Sequence, residues 1–385
     1  MPFANRTRHL KPEGAYEVLA RANQLEAAGK EIIHLEIGQP DYATFENVSQ
    51  AGIKAIQDGK TRYTPPSGMP SLKEAIAAQA GRQRGIKVHP DEVVVSPGGK
   101  PNLFFPALAL IEPGDEVIYP NPGFPTYEAM IQVAGGVPVA VPLLEGNQFS
   151  FDLDAFDRLV NEKTKLIVLN SPSNPTGGVV PPTDLEHVAS QAEQYDCWVI
   201  SDEIYARIVY DGLEAPSIAA LPGMKERTII VDGFSKTYSM TGWRLGFGIM
   251  PKELAKRIDL LLTHSVGSTA HFTQFAGLEA VTGPQDMVEV MVTEYQRRRN
   301  TIVDGLNAIP GFTCQKPQGA FYVFPNITGT NRGSTDLANL ILEEAGVALL
   351  PGNSFGEYGE GYLRISYANS LENIQKGLER IKSIL

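Results

Sequence analysis

Long apolar runs are missing from this chain. None approaches the roughly 18 residues that a membrane span needs, and the opening stretch MPFANRTRHLKPEGAYEV has no apolar core of a secretory signal. Cysteine is scarce as well. The only two, Cys197 and Cys314, lie far apart and in no CxxC or metal-ligand spacing, which excludes a disulfide scaffold and points to a reducing cytoplasm. Basic excess is also lacking: 33 Lys and Arg against 44 Asp and Glu give a formal net charge of −11. That balance disfavours nucleic acid or an anionic membrane as a partner. No repeat at solenoid spacing and no low-complexity tract interrupts the chain.

What is present is ordinary globular material. With 43% hydrophobic and 20% charged residues spread over 385 positions, the chain can bury a large core and build more than one lobe. From Glu92 onward, short β-rich runs alternate with helical patterns. Residues 92–96, 116–119, 165–169, 197–200, 228–231 and 245–249 read as buried strands, and their unbroken apolar character predicts a sheet covered on both faces. Pro182 to Tyr195 has the helical period, with Thr183 and Glu186 spaced as a capping box. Repeated strand, helix, strand units predict an α/β fold with a mostly parallel, doubly wound sheet. Helical patterns after Pro251 and over 285–308, 337–345 and 370–385, with a strand at 362–366, predict a smaller α+β lobe.

In such a sheet ligands bind beyond the carboxyl ends of the strands, so the residues just after each strand are the ones to weigh. Ser96-Pro-Gly-Gly-Lys-Pro can offer backbone N–H groups to a phosphate, with Lys100 alongside; alone, such a loop is more often a bare turn. It fits neither the GxxxxGK[ST] loop nor the GxGxxG fingerprint. Asn174 follows the next strand on a proline-rich connection, and Asp202 and Tyr205 stand after the one beyond it, where Asp202 can also serve as a helix cap. Lys236 follows the strand that ends near Asp232. A lysine amine can form a Schiff base with a carbonyl, and its neighbours supply the acid, phosphate cradle and stacking aromatic that a pyridoxal cofactor needs.

Taken together, Gly38-Gln-Pro-Asp41, Tyr63-Thr-Pro-Pro-Ser-Gly68, Asn174-Pro-Thr-Gly177, Asp202-Glu-Ile-Tyr205, Ser235-Lys236 with Thr241-Gly-Trp-Arg-Leu-Gly246, and Tyr362-Leu-Arg364-Ile-Ser366 resemble the aspartate aminotransferase family. These are the class I and II aminotransferases of fold type I, which use pyridoxal 5′-phosphate. The resemblance implies a large cofactor-binding domain over residues 48–280, a small domain over 281–385, and an N-terminal segment, 1–47, that contributes to the small domain. It implies Lys236 as the Schiff-base lysine and proton carrier, Asp202 as partner of the pyridine nitrogen, and Tyr205 and Asn174 as partners of the cofactor's phenolic oxygen. Phe124 would stack on the ring. Gly98, Gly99, Lys100, Ser235 and Arg244 would form the phosphate cup, and Tyr63 would reach in from the other subunit of a homodimer. Arg364, with Gly38 and Asn174, would hold the substrate α-carboxylate, a task suited to the forked guanidinium.

The chain departs from the family in two places. Three residues before the lysine, where the family often has a hydroxyl, stands Gly233. The segment Thr263 to Phe272, from which dicarboxylate-selective enzymes bring a second arginine, contains none. The implied activity is ping-pong transfer of an amino group between an L-amino acid and a 2-oxo acid in the cytoplasm, with no metal. A cofactor-dependent lyase or cyclising enzyme, expelling a β or γ leaving group, is an alternative that the same residues would serve.

Overall fold

Alternation of apolar residues along the central strands dictates the layering. In the strand Thr164–Asn170, Leu166 and Val168 point to one side of the sheet and Ile167 and Leu169 to the other, and all four are buried. Both faces must therefore be covered. The computed structural model describes residues 3–8, 10 and 12–385. It contains an eight-stranded sheet in the spatial order Val93–Ser96, Gly246–Ile249, Thr228–Gly233, Trp198–Asp202, Thr164–Asn170, Glu116–Asn121, Val137–Leu144 and Ser150–Phe151. The strands from Thr228–Gly233 across to Val137–Leu144 run parallel, and Gly246–Ile249 and Ser150–Phe151 oppose their neighbours. This is the α/β, doubly wound, mostly parallel sheet that the strand pattern predicts.

One face is covered by Leu185, Val188 and Ala192 of the helix Pro182–Gln194, the other by Met130, Ile131, Ile258 and Leu262 from the helices Thr126–Ala134 and Lys252–Thr263. Each fully buried aliphatic side chain here contributes roughly 1.5–3 kcal/mol relative to exposure. The expected capping box at Thr183 is not formed. Pro182 takes the first helical position after Pro181, so Thr183 already lies inside the helix and its hydroxyl turns to Asp184. Asp184 in turn accepts hydrogen bonds from Ser150 and Asn147.

The rest of the chain builds around two smaller sheets. Leu363–Ser366 pairs antiparallel with Tyr322–Val323 and with Leu350–Pro351, and Ile33–His34 pairs parallel with Val347–Ala348. The N-terminal segment is thereby stitched to the C-terminal elements just before Gly38. The helix Ser334–Leu340 widens into a π turn over Ile341–Ala345, so the helix expected there is present with altered pitch. The closing helix Leu371–Ser383 is capped by Ser370, whose hydroxyl accepts from the Asn373 N–H at 3.1 Å. No helix of the described residues is long and apolar enough to cross a membrane.

Beneath the strand ends lies a buried ion-pair network. Arg84, from the helix Pro70–Arg84, reaches Glu203 at 2.5 Å and Asp232 at 2.6 Å. Ser201, Ser217 and the Gly233 N–H supply further donors to these two carboxylates. This buried guanidinium, whose Nη1 has no partner among the described residues, ties together the ends of two neighbouring strands.

Candidate active site

Four strands end on the same side of the sheet, and the turn after each sends a polar group into one crevice. The strand order reverses between Glu116–Asn121 and Thr164–Asn170, which is where an open α/β sheet leaves room for a ligand.

Asp202 ends its own strand and is 6% exposed. Its Oδ2 accepts from the Tyr127 hydroxyl at 2.8 Å and its Oδ1 from the Ile204 N–H at 3.2 Å. Burial pushes the carboxyl up to about 6, although both hydrogen bonds pull it back toward the ionised form. No hydrogen-bond partner of this carboxylate is a cation.

Lys236 follows the strand Thr228–Gly233 and points its amine at the Gly38 carbonyl, to which it donates a hydrogen bond. Burial, assisted by the positive charges of Arg364 and Arg244, brings the amine down to about 8. At pH 7 a minor fraction, on the order of a tenth, is therefore unprotonated and nucleophilic. The amine also lies 5.8 Å from the ring centres of Tyr205 and Phe321.

Arg364 sits in the middle of the strand Leu363–Ser366 and is 4% exposed. It donates to the Asn174 side chain at 3.2 Å and to the Glu36 carbonyl, while its buried Nε has no partner among the described residues. The guanidinium carbon lies 4.5 Å from the ring centre of Tyr322 and 5.0 Å from that of Phe355. A pinned guanidinium with an open donor edge is suited to a bidentate carboxylate. Asn174 is fixed by its own backbone N–H, which donates to Asn170 Oδ1 at 2.8 Å.

The remaining residues singled out in the sequence border the same crevice. Gly98 and Gly99 form the turn between the strand Val93–Ser96 and the helix Pro101–Leu110, braced by Ser96 and Asn102. A side chain at Gly246 would meet the Gly98 carbonyl carbon at 2.4 Å, so the neighbouring strand approaches this turn through glycine alone. Arg244 lies against Gly98 and Ser235 precedes Lys236. Lys100 places its amine 5.3 Å from the ring centre of Phe124 and forms an ion pair with Glu13. Gly233 is explained by packing. A Cβ there would be 3.1 Å from Gly246 Cα and 3.2 Å from Ile204, so a side chain would fit only if these neighbours gave by a few tenths of an ångström. Tyr63 stands apart, 98% exposed on the chain's surface.

Two buried tyrosines belong to the site and were not picked out from sequence. Tyr127 bonds Asp202 across 75 residues of chain. Tyr322 shares a 2.7 Å hydrogen bond with Tyr205 and carries Arg364 on its ring. Tyr127 lies three residues beyond Phe124, a helical spacing that reads as core. Tyr322 adjoins Phe321 in an apolar strand, and the sequence offers no signal that separates it from packing.

A buried acid, a depressed lysine and a pinned arginine at the switch point of a doubly wound sheet define a site for amino-acid chemistry on a carbonyl group. The comparisons with known proteins make this specific. The chain belongs to the aminotransferase class I and II family, whose model matches residues 30–381. It is 40% identical to the aspartate aminotransferase of Geobacillus stearothermophilus over 99% of this chain and 98% of that one. The structure of Thermus thermophilus aspartate aminotransferase with maleate superposes with a TM-score of 0.95, at 38% identity over all of both chains. An aromatic aminotransferase from Pyrococcus horikoshii gives 0.90 at 39% identity, over 95% of this chain and 98% of that one. These relatives are aminotransferases, and they do not favour the lyase alternative.

Proposed function

We propose that this aminotransferase uses pyridoxal 5′-phosphate bound in the strand-end crevice and exchanges the amino group of an L-amino acid for the carbonyl oxygen of a 2-oxo acid, in two half-reactions at one site. The observation that carries the reading is the trio of Asp202, Lys236 and Arg364, two buried charges and one half-buried, whose hydrogen-bond partners are all neutral. Buried charge without a counter-ion is costly unless a ligand supplies one. The pairing suits this cofactor: a pyridinium for Asp202, an aldehyde for the Lys236 amine, and a substrate carboxylate for the free edge of Arg364. When bound, the cofactor supplies an aldehyde that condenses with amines and a protonated ring that accepts the electron pair left at the substrate α-carbon.

The chain's own residues do the rest. Lys236 Nζ would hold the aldehyde of the bound cofactor and would serve as the base that carries the proton from the substrate α-carbon. Its depressed proton affinity suits a base working near neutral pH. Asp202 would keep the ring nitrogen protonated. Tyr205 and Asn174 would donate to the phenolic oxygen, and Phe124 would stack on the ring. Gly98, Gly99, Lys100, Ser235 and Arg244 would hold the phosphate. Arg364 orients the α-carboxylate so that the α-hydrogen faces Lys236, with Gly38 beside it.

The exposure of Tyr63 supports a homodimer in which that phenol enters the neighbouring site. The pairing of Ile33–His34 with Val347–Ala348 supports the division into a cofactor-binding domain, 48–280, and a small domain made from 281–385 and residues 1–47. Scarce, buried cysteine supports a cytoplasmic protein. A panel of amino acids added to the cofactor-loaded protein should shift its absorbance, with amino transfer to 2-oxoglutarate or pyruvate. Ammonia release without an acceptor, or no absorbance change with any member, overturns the proposal.

A further inference from the structure

Tyr322 opens the strand Tyr322–Val323 and lies opposite Ser366, in the strand that carries Arg364. The chain leading into it is held firmly. Ala320 takes a left-handed φ of +55°, and its carbonyl accepts hydrogen bonds from the hydroxyls of Tyr210 and Tyr367. Alanine is strained in that conformation, so the two phenols fix the course of the backbone toward Tyr322. The Tyr322 side chain then enters the middle of the crevice. Its ring centre lies 4.5 Å from the Arg364 guanidinium, and its hydroxyl fills the space that a side chain at Gly38 would need. That hydroxyl meets the Tyr205 hydroxyl at 2.7 Å, and the two rings stand edge to face. Both side chains are buried.

Two hydroxyls that share one hydrogen bond leave one proton over. Burial keeps both phenols protonated by raising them above their ordinary range, and neither oxygen has another hydrogen-bond partner among the described residues. One O–H is spent on the pair, and the other is free in a dry place where an unmade hydrogen bond is costly. Arg364 decides which is which. Its positive charge beside the Tyr322 ring stabilises negative charge on that phenol's oxygen and makes Tyr322 the stronger donor. We propose that Tyr322 is a positioning residue that donates to Tyr205 and so leaves the Tyr205 proton to the phenolic oxygen of the pyridoxal cofactor. The inference rests on the proposed function, in which Tyr205 is a donor to that oxygen. A hydroxyl that accepts one hydrogen bond donates the next more strongly, so the two phenols act as a two-link chain that starts beside Arg364. The nitrogen joining Lys236 to the cofactor holds a proton that competes for the same oxygen. A stronger donor at Tyr205 therefore lowers the pH at which that proton is lost.

The test follows the absorbance of the resting, cofactor-loaded protein as pH is varied, with no substrate and no turnover. Tyr322→Phe keeps the ring beside Arg364 and removes only the hydroxyl. It should raise the midpoint of the Lys236-dependent absorbance change by about half a pH unit. Tyr205→Phe should raise it by roughly one unit. The double variant should match Tyr205→Phe alone, because the first link acts only through the second. An unchanged or lowered midpoint in Tyr322→Phe overturns the inference. So does a Tyr322→Phe shift of equal size with and without the Tyr205 hydroxyl, which marks a general loosening of the site. A double variant that matches Tyr322→Phe and not Tyr205→Phe reverses the chain and overturns the assignment as well. Failure of the underlying reading looks different: if pyridoxal 5′-phosphate gives no absorbance band that Lys236→Ala abolishes, the proposed function falls and this inference falls with it.

Discussion

Two groups of buried charges lie back to back at the ends of the same strands. Glu203 and Asp232 close around Arg84 and are further satisfied by serine hydroxyls and a backbone N–H. Their chain neighbours Asp202 and Lys236 face the other way with only neutral partners. In the first group each carboxylate meets a cation, and in the second no hydrogen-bond partner is charged. The cost of burying a charge is the same physics in both, so the difference in pairing separates a structural pin from a binding site. The pin also holds the site, since it ties together the turns that carry Asp202 and Lys236.

Substitutions on the two sides of that divide should act in opposite directions. The largest effect is expected from Lys236→Ala, which should lower transamination by at least about a thousandfold because both the covalent and the proton-transfer roles are lost. In the cofactor-free protein the same change should raise the melting temperature. The amine falls from 10.5 to about 8 on folding, so the stability it contributes is present above pH 10.5 and is lost as pH falls through 8. The variant's advantage should thus be greatest below pH 8 and vanish toward pH 10.5. A variant that melts lower than wild type at pH 7 would place Lys236 with the structural group.

Arg84→Ala should do the reverse and cost about 3–5 kcal/mol of folding stability, because two carboxylates are left buried without their cation. Denaturant unfolding measures this directly, and a loss below about 1 kcal/mol would remove the distinction between the two groups. Restoring part of the loss by adding Glu203→Gln and Asp232→Asn would confirm its electrostatic origin.

The smallest effect is expected from Tyr127→Phe, which removes one hydroxyl donor from Asp202. Its carboxyl, held at about 6, should climb further once that donor is gone, and kcat should fall roughly tenfold, as for a hydrogen bond to a charged group. Because Asp202 acts ionised, the acidic limb of the pH profile should move to higher pH. An unshifted limb would detach Tyr127 from Asp202.

What could be read in the sequence divides along similar lines. Six strands of the large sheet were legible because each is a short, unbroken apolar run, whereas Val137–Leu144, interrupted by Pro138 and Pro142, and the two-residue Ser150–Phe151 were not; Asp202, Lys236 and Asn174 stood out because strand ends of an open sheet all deliver their residues to one place. Relations between distant segments were not legible. Tyr127 looks like core until the sheet brings it under Asp202, and Glu13 has no neighbour in sequence that hints at Lys100. The capping box at Thr183 failed for a local reason, since the proline before it had already started the helix. The π turn at Ile341–Ala345 is invisible to a pattern count because its apolar positions still match a helix to within a residue.

The tight approach of Gly246 to the Gly98–Gly99 turn bears on how such a protein can diversify. That wall of the crevice is lined by main chain, which a point substitution can block but cannot redecorate. New chemistry at the site has to come from the walls that present side chains. Descendants of this chain could therefore change their diet there while the glycine wall stays as it is.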